Sequence, residues 1–229
     1  MATIAAQDIV DTTNSLAEAV NSVIKWYDEN PDYTQEGRRA GVQRTLQAAN
    51  MGYPAAVAAL EEAVDAYRDA ATEQLEAEIA IAWPRPKTST DTLAAELEAQ
   101  RLLARGKDAM KVIAVIRDTK PSAGRTIYAE EVVARGFIER DTLEATAAMQ
   151  NPELTTGRKE LAAVNQFHRI MRGYLAEIKG HGLNGERVSF EGYQLQIKAV
   201  ISYMAAYYHA PKEIAMPTIT RPSFVANAA

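Results

Sequence analysis

Apolar residues recur every third or fourth position along most of the chain, and this period predicts helices from end to end. Over residues 4 to 28, Leu16, Val20, Val23 and Tyr27 step by 4, 3 and 4 and so fall on one stripe. Asn30-Pro31 ends that helix, because proline restricts the residue before it and lacks the next helical N–H donor. Thr34 is placed to cap a second helix with Val42, Leu46 and Ala49 inward, and Asn50-Met51-Gly52 supplies the stop.

The longest pattern runs from Pro54 to Trp83. Val57, Leu60, Val64, Tyr67, Ala71, Leu75 and Ile79 form its apolar stripe, while Glu61, Glu62, Asp65, Asp69, Glu73 and Glu76 fall outside it. At 1.5 Å per residue such a helix is about 45 Å long, a length that calls for packing against several others or against a partner. Pro84-Arg85-Pro86 interrupts it and marks a candidate domain boundary, and Thr88-Ser89-Thr90-Asp91 opens the next helix. Leu93, Leu97 and Leu102 continue that helix and Gly106 closes it.

Residues 107 to 118 read two ways. Val112 to Ile116 is β-branched enough for a short buried strand, yet Ala109, Met110, Ile113 and Ile116 also fit a helical face. Helix is the reading adopted, since no second strand offers itself as a partner. Thr126 to Arg135 follows as a helix closed by Gly136, and Asp141 with Glu144 resembles a capping box for another that Asn151-Pro152 stops. Leu161, Val164, His168, Met171, Leu175 and Ile178 mark a helix over 157 to 179. A glycine-rich turn from Gly180 to Gly185 follows, and Ser189 caps a last helix facing inward through Tyr193, Ile197, Val200, Met204 and Tyr207.

Beyond Ala210 the pattern changes. Pro211, Pro217 and Pro222 punctuate Ile214, Met216, Ile219, Phe224 and Val225, so this stretch is expected to run extended and to meet protein through those five side chains. The fold class expected is all-α: a multi-helix bundle of about eight or nine helices, with one long helix near 54–83 and an extended C-terminal arm. The expected division is 1–83 as an acidic helical part, 88–210 as a second helical part and 211–229 as the arm, with one single domain as the alternative.

Composition refines this picture. The chain has 229 residues, 47% of them hydrophobic and 24% charged, which is ordinary for a protein that builds its own core. Cysteine is absent, so disulfides, thiolate metal sites and cysteine nucleophiles are excluded together. The first twenty residues lack Lys and Arg and include Asp8, Asp11 and Glu18, unlike a secretory signal. No stretch approaches the roughly 20 apolar residues of a membrane span. No membrane partner is therefore expected, and the expected location is the cytoplasm or the inside of a particle.

Charge is uneven along the chain. Residues 1 to 100 hold 7 basic and 17 acidic side chains, whereas residues 101 to 229 hold 18 and 13. Such a split suits a head-to-tail contact, a basic face for a polyanion, or simply two differently solvated surfaces. Arg101, Arg105, Lys107 and Lys111, with Arg117, Lys120 and Arg125 beyond them, form the candidate polyanion-binding surface.

Sites of chemistry are harder to find. Gly180-His181-Gly182-Leu183-Asn184-Gly185 has the spacing of a dinucleotide-binding loop, but that loop needs a strand before it, and here a helix precedes. His168 lies on an apolar stripe, where a hydrogen bond to a neighbouring helix is a simpler role than catalysis. The Glu-x-x-His spacing of di-metal bundles occurs nowhere, and neither does a nucleophile elbow, a phosphate loop or His-Glu-x-x-His. No catalytic residue, cofactor or metal is assigned.

Residues 126 to 150 form a helix, turn and helix, but Asp141 to Gln150 carries no Lys or Arg to meet phosphates. The functional expectation is therefore a structural or assembly protein that works through protein contacts, as a homo-oligomer or with other subunits, in a particle such as a phage virion. A nucleic-acid-binding or regulatory module is the first alternative. An enzyme with dispersed residues, His168 foremost, is the second.

Overall fold

A computed structural model describes residues 2–48 and 52–207. Nine helices and no strand occur among the described residues: α1 (Ala2–Asp28), α2 (Gln35–Gln47), α3 (Tyr53–Ala82), α4 (Ser89–Arg105), α5 (Ala109–Asp118), α6 (Ala123–Ala134), α7 (Arg140–Gln150), α8 (Pro152–Asn184) and α9 (Glu191–Tyr207). They form two compact units, one from the described residues up to Ala71 and from Glu160 onward, the other from Thr72–Lys159. The boundaries fall inside α3 and α8, and Pro84-Arg85-Pro86 lies within the second unit. Counted over the described residues of these units the formal net charge is −5 and −1, so the contrast between the sequence halves does not carry over to the folded units. Residues 211–229, with the five apolar side chains expected to make contacts, lie outside the described residues, as does Ala49.

The first unit closes around Leu16, Val20 and Ile24 of α1, Leu60, Val64 and Tyr67 of α3, Phe167, Met171 and Ile178 of α8, and Ile197, Val200 and Met204 of α9. Thr34 caps α2 as its sequence position predicts, its hydroxyl accepting from the Gly37 N–H at 3.2 Å. That places Val42 and Leu46 in the same core. Burial of each such side chain contributes about 1.5–3 kcal/mol, which is the main force holding the helices together. Polar ties then fix the geometry. Asn21 clamps the connection after α8, donating to Val188 O at 3.1 Å and accepting from Val188 N at 2.8 Å. Tyr174 stacks on Tyr193 with centroids 4.8 Å apart and donates to Asn14 Oδ1 at 3.1 Å.

The expected turn over Gly180 to Gly185 is corrected here. The helix continues to Asn184, and only Gly185 takes a left-handed backbone, at φ +70°. Close packing explains the glycine at 182. A Cβ there would stand 3.1 Å from Tyr53 Oη and 3.2 Å from Val20 Cγ1, so α8 approaches its neighbours closely because that position is bare. Tyr53 in turn donates to Ile178 O at 3.1 Å. Its burial lifts the phenol pKa to about 12.

The second unit packs Leu102, Val112, Ile116, Tyr128, Val132 and Leu143 together. Thr88 and Asp91 form the capping box that opens α4, each side chain accepting the other's backbone N–H at 3.1 Å. Residues 107 to 118 do form a helix, because Asp108 caps it through Lys111 N at 3.0 Å and no strand pairs with it among the described residues. Its buried face is Val112, Val115 and Ile116, whereas Met110, expected inward, is 76% exposed.

Two further expectations shift, and α4 shows which of its leucines the core takes. α7 starts at Arg140 with Glu139 at its N-cap and no side-chain cap, because this start turns Leu143, Thr146 and Ala147 inward; Asp141 is no cap, and Glu144 instead pairs with Arg158 at 2.6 Å. α8 begins at Pro152 rather than at 157, since proline suits a first helical position as well as it ends the helix before. On α4 the inward residues are Ala95, Ala99 and Leu102, so Leu93 and Leu97 face solvent.

Candidate interaction surface

At the end of α1 the first unit presents aromatic rings to solvent. Trp26 is 46% exposed and Tyr33, in the turn that follows, is 38% exposed. Tyr27 lies between them, its ring 4.7 Å from Trp26 and 5.3 Å from Tyr33, both edge-on. Edge-to-face contact places the positive rim of one ring against the negative face of the next, so the three behave as one rigid patch. Tyr27 is anchored from below by a 3.0 Å hydrogen bond between its hydroxyl and that of Thr45 on α2.

Charged groups frame the patch. Arg38 donates from Nε to Tyr33 O at 3.2 Å and holds Nη1 3.9 Å from Asp28, which also lies 3.5 Å from Arg187. Asp28 thus joins the α1–α2 turn to the connection after α8. Beside it opens a polar cavity of about 530 Å³ lined by Asp28, Gln35, Arg38, Arg39, Asn184 and Glu186. Comparison with known proteins finds no matching family model, curated protein or solved structure.

The second unit holds the basic residues singled out in the sequence. Arg101, Arg105, Lys107 and Lys111 are all exposed, on α4, the following turn and the first turn of α5. Lys111 pairs with Asp108 at 2.9 Å and Arg117 with Asp118 at 2.9 Å, so carboxylates interrupt the positive field. Those carboxyls are held below their ordinary pKa chiefly by these side-chain hydrogen bonds.

Arg125 is no surface residue at all, with 1% of it exposed. Its guanidinium donates to Ala82 O at 2.8 Å, Ile116 O at 3.2 Å, Thr119 O at 2.9 Å and Gln150 Oε1 at 2.6 Å, and lies 4.9 Å from the centre of the Trp83 ring. These acceptors are neutral, and three of them lie at the C-terminal ends of α3 and α5. The negative ends of two helix dipoles thus stand where a carboxylate would normally be needed. Desolvation still pushes the guanidinium pKa below its usual value. The signal was present in the sequence, because Arg125 shares a helical stripe with Tyr128, Ala129 and Val132.

His168 sits on α8 with its Nε2 2.7 Å from Asp65 Oδ1 of α3, and Arg172 adds contacts to Glu61 and Asp65 at 3.6 and 3.9 Å. The hydrogen bond from His168 is the leading reason that the Asp65 carboxyl titrates below its ordinary range. This is the interhelical hydrogen bond expected of a histidine on an apolar stripe. Among the described residues no group of three His, Asp or Glu side chains is placed to hold a metal ion, and no helix is long and apolar enough to cross a membrane.

Proposed function

We propose that this chain is a structural or assembly protein that acts through protein–protein contacts, as one subunit of a homo-oligomeric particle such as a phage virion. The observation that carries this reading is the exposed Trp26–Tyr27–Tyr33 patch with Arg38 at its edge. Tryptophan, tyrosine and arginine dominate the energetics of protein interfaces because each buries a large area at a small cost in lost rotamers. Here the rings are already locked by their mutual contacts and by Thr45, so little freedom remains to be lost on docking. The apolar side chains among the prolines of 211–229 extend the same reading to that stretch.

The decisive measurement is the native mass of the complex isolated from its source, followed by sedimentation of recombinant protein. An assembly several times heavier than the 25.1 kDa chain is expected, reduced by Trp26→Ala/Tyr33→Ala or by truncation after Ala210. A monomer in the source material and in all three recombinant forms would refute the proposal.

A further inference from the structure

The second unit carries a stripe with two large apolar side chains that its own core leaves uncovered. On α4, Ala95, Ala99 and Leu102 face inward. Leu93, Leu97, Gln100 and Ala104 fall on the opposite side of the helix, spaced 4, 3 and 4, and all four are exposed, the two leucines by 60% and 49%. That spacing returns to the same line every seven residues, the repeat by which two helices wind about one another.

The polar groups in and beside the stripe say which partner fits. Gln100 interrupts the apolar line with an amide that both donates and accepts, so it is satisfied by the same amide of an identical helix facing it. A single polar residue in such a seam weakens the contact but fixes its register, because any slip leaves the amide against hydrocarbon. In the register that makes these four residues the seam, Glu96 and Arg101 take the two flanking positions, five residues apart. Neither forms an ion pair among the described residues. Against a second α4 running parallel and in register, Glu96 of each helix meets Arg101 of the other, giving two pairs related by a two-fold axis. An antiparallel partner would set Glu96 towards Glu96 and Arg101 towards Arg101, which repels. The seam is thus self-complementary in one orientation.

We infer that the outer face of α4 docks against α4 of a second copy of this chain, parallel and in register, through Leu93, Leu97, Gln100 and Ala104 with reciprocal Glu96–Arg101 pairs. This deepens the assembly proposal and rests on it. Only four seam residues contribute per chain and one of them is polar, so the isolated contact is weak. Association through it grows with concentration, and it gains strength when many copies are arrayed together.

The native absence of cysteine allows a direct test on the full chain. Sedimentation equilibrium of the unaltered protein should show a mass rising with concentration. Leu93→Glu/Leu97→Glu, at exposed positions and with the helical circular dichroism unchanged, should weaken that association about tenfold or more. Glu96→Arg and Arg101→Glu should each weaken it, and the two together should restore it. Gln100→Cys should give a disulfide-linked dimer under mild oxidation, since that position faces its own copy across the two-fold axis, while Arg105→Cys should not.

A mass that stays at 25.1 kDa at every concentration overturns the inference, as does a double charge swap that fails to recover association or a Gln100→Cys chain that stays uncrosslinked. A source complex that survives Leu93→Glu/Leu97→Glu removes the α4 seam and leaves the assembly proposal standing. A monomeric source species removes both.

Discussion

Replacing Arg125 with methionine tests whether a buried cation can serve as the shared cap of two helix ends. Methionine keeps most of the apolar stem, so the main loss is the guanidinium with its four hydrogen bonds. The bonds to Ala82 O and Ile116 O are buried, and each carbonyl left without a donor costs about 1–3 kcal/mol. Thr119 O and Gln150 border a cavity of about 260 Å³, where water can replace the lost donor at little cost. The contact with the Trp83 face adds about 1 kcal/mol. Against these stands the relief of the desolvation that the charged group itself suffers.

The net is a loss of about 3 kcal/mol from the second unit, estimated from two orphaned carbonyls and one ring contact. The chain has two tryptophans, Trp26 in the first unit and Trp83 in the second, so Trp26→Phe leaves Trp83 as the sole reporter of the second unit. In a urea titration followed by its fluorescence, the Arg125→Met midpoint should fall by about 1–3 M at an unchanged slope. Arg125→Lys should recover less than half of the loss, because one ammonium cannot reach both helix ends in the fixed fork of a guanidinium. A midpoint within about 0.3 M of the parent would show that these carbonyls do not depend on Arg125, and the account of the buried charge would fall.

Two other perturbations probe the first unit. The Tyr53 phenol, raised to about 12, holds its proton more tightly folded than unfolded. Its contribution is therefore full below pH 10 and is lost as pH rises through 12, about 3 kcal/mol in all at 1.4 kcal/mol per pKa unit. Tyr53→Phe should flatten the alkaline decline in urea stability followed with Trp26 as sole reporter in a Trp83→Phe background, and an unchanged pH slope would contradict this. Gly182→Leu should destabilise the same unit by about 2 kcal/mol or more through overpacking against Tyr53 and Val20, read as a fall in thermal midpoint; a stability equal to the parent would mean that the close approach of α8 is not what demands glycine.

Where local chemistry decides structure, the sequence was readable. Thr34 and Thr88 lie where a hydroxyl ahead of an apolar period must cap, and both do so. The long stripe from Val57 to Leu75 is buried as its period requires. Departures appear where a tertiary neighbour overrides a local signal. Asp141 looked like a cap, but the core claims Leu143 and moves the helix start back to Arg140. Gly180 and Gly182 looked like a turn, yet the bulk of Tyr53, Val20 and Leu46 on other helices is what calls for glycine at 182, and one chain read alone does not display that crowding. Leu93 and Leu97 carry the helical period faithfully, and their facing outward depends on the core accepting Ala95 and Ala99 instead.

The interaction surface was legible in part. Trp26, Tyr27 and Tyr33 are visible as residues, but their convergence depends on the turn at Asn30-Pro31 folding Tyr33 back over the end of α1. Arg125 belongs to the basic run by charge but to the buried stripe of α6 by period. Its place on the stripe with Tyr128 and Val132 was the better guide.

The division of the chain has a consequence for its birth on the ribosome. The second unit is one unbroken stretch, Thr72–Lys159, and all of its contacts become possible once that stretch has emerged. The first unit is split around it. The greasy flank of α1, with Leu16, Val20 and Ile24, waits through the translation of the whole insertion before Met171, Tyr174 and Ile178 arrive to cover it. At about 5–20 residues per second that delay lasts several seconds or more, a window in which nascent chains on one polysome expose the same adhesive surface side by side.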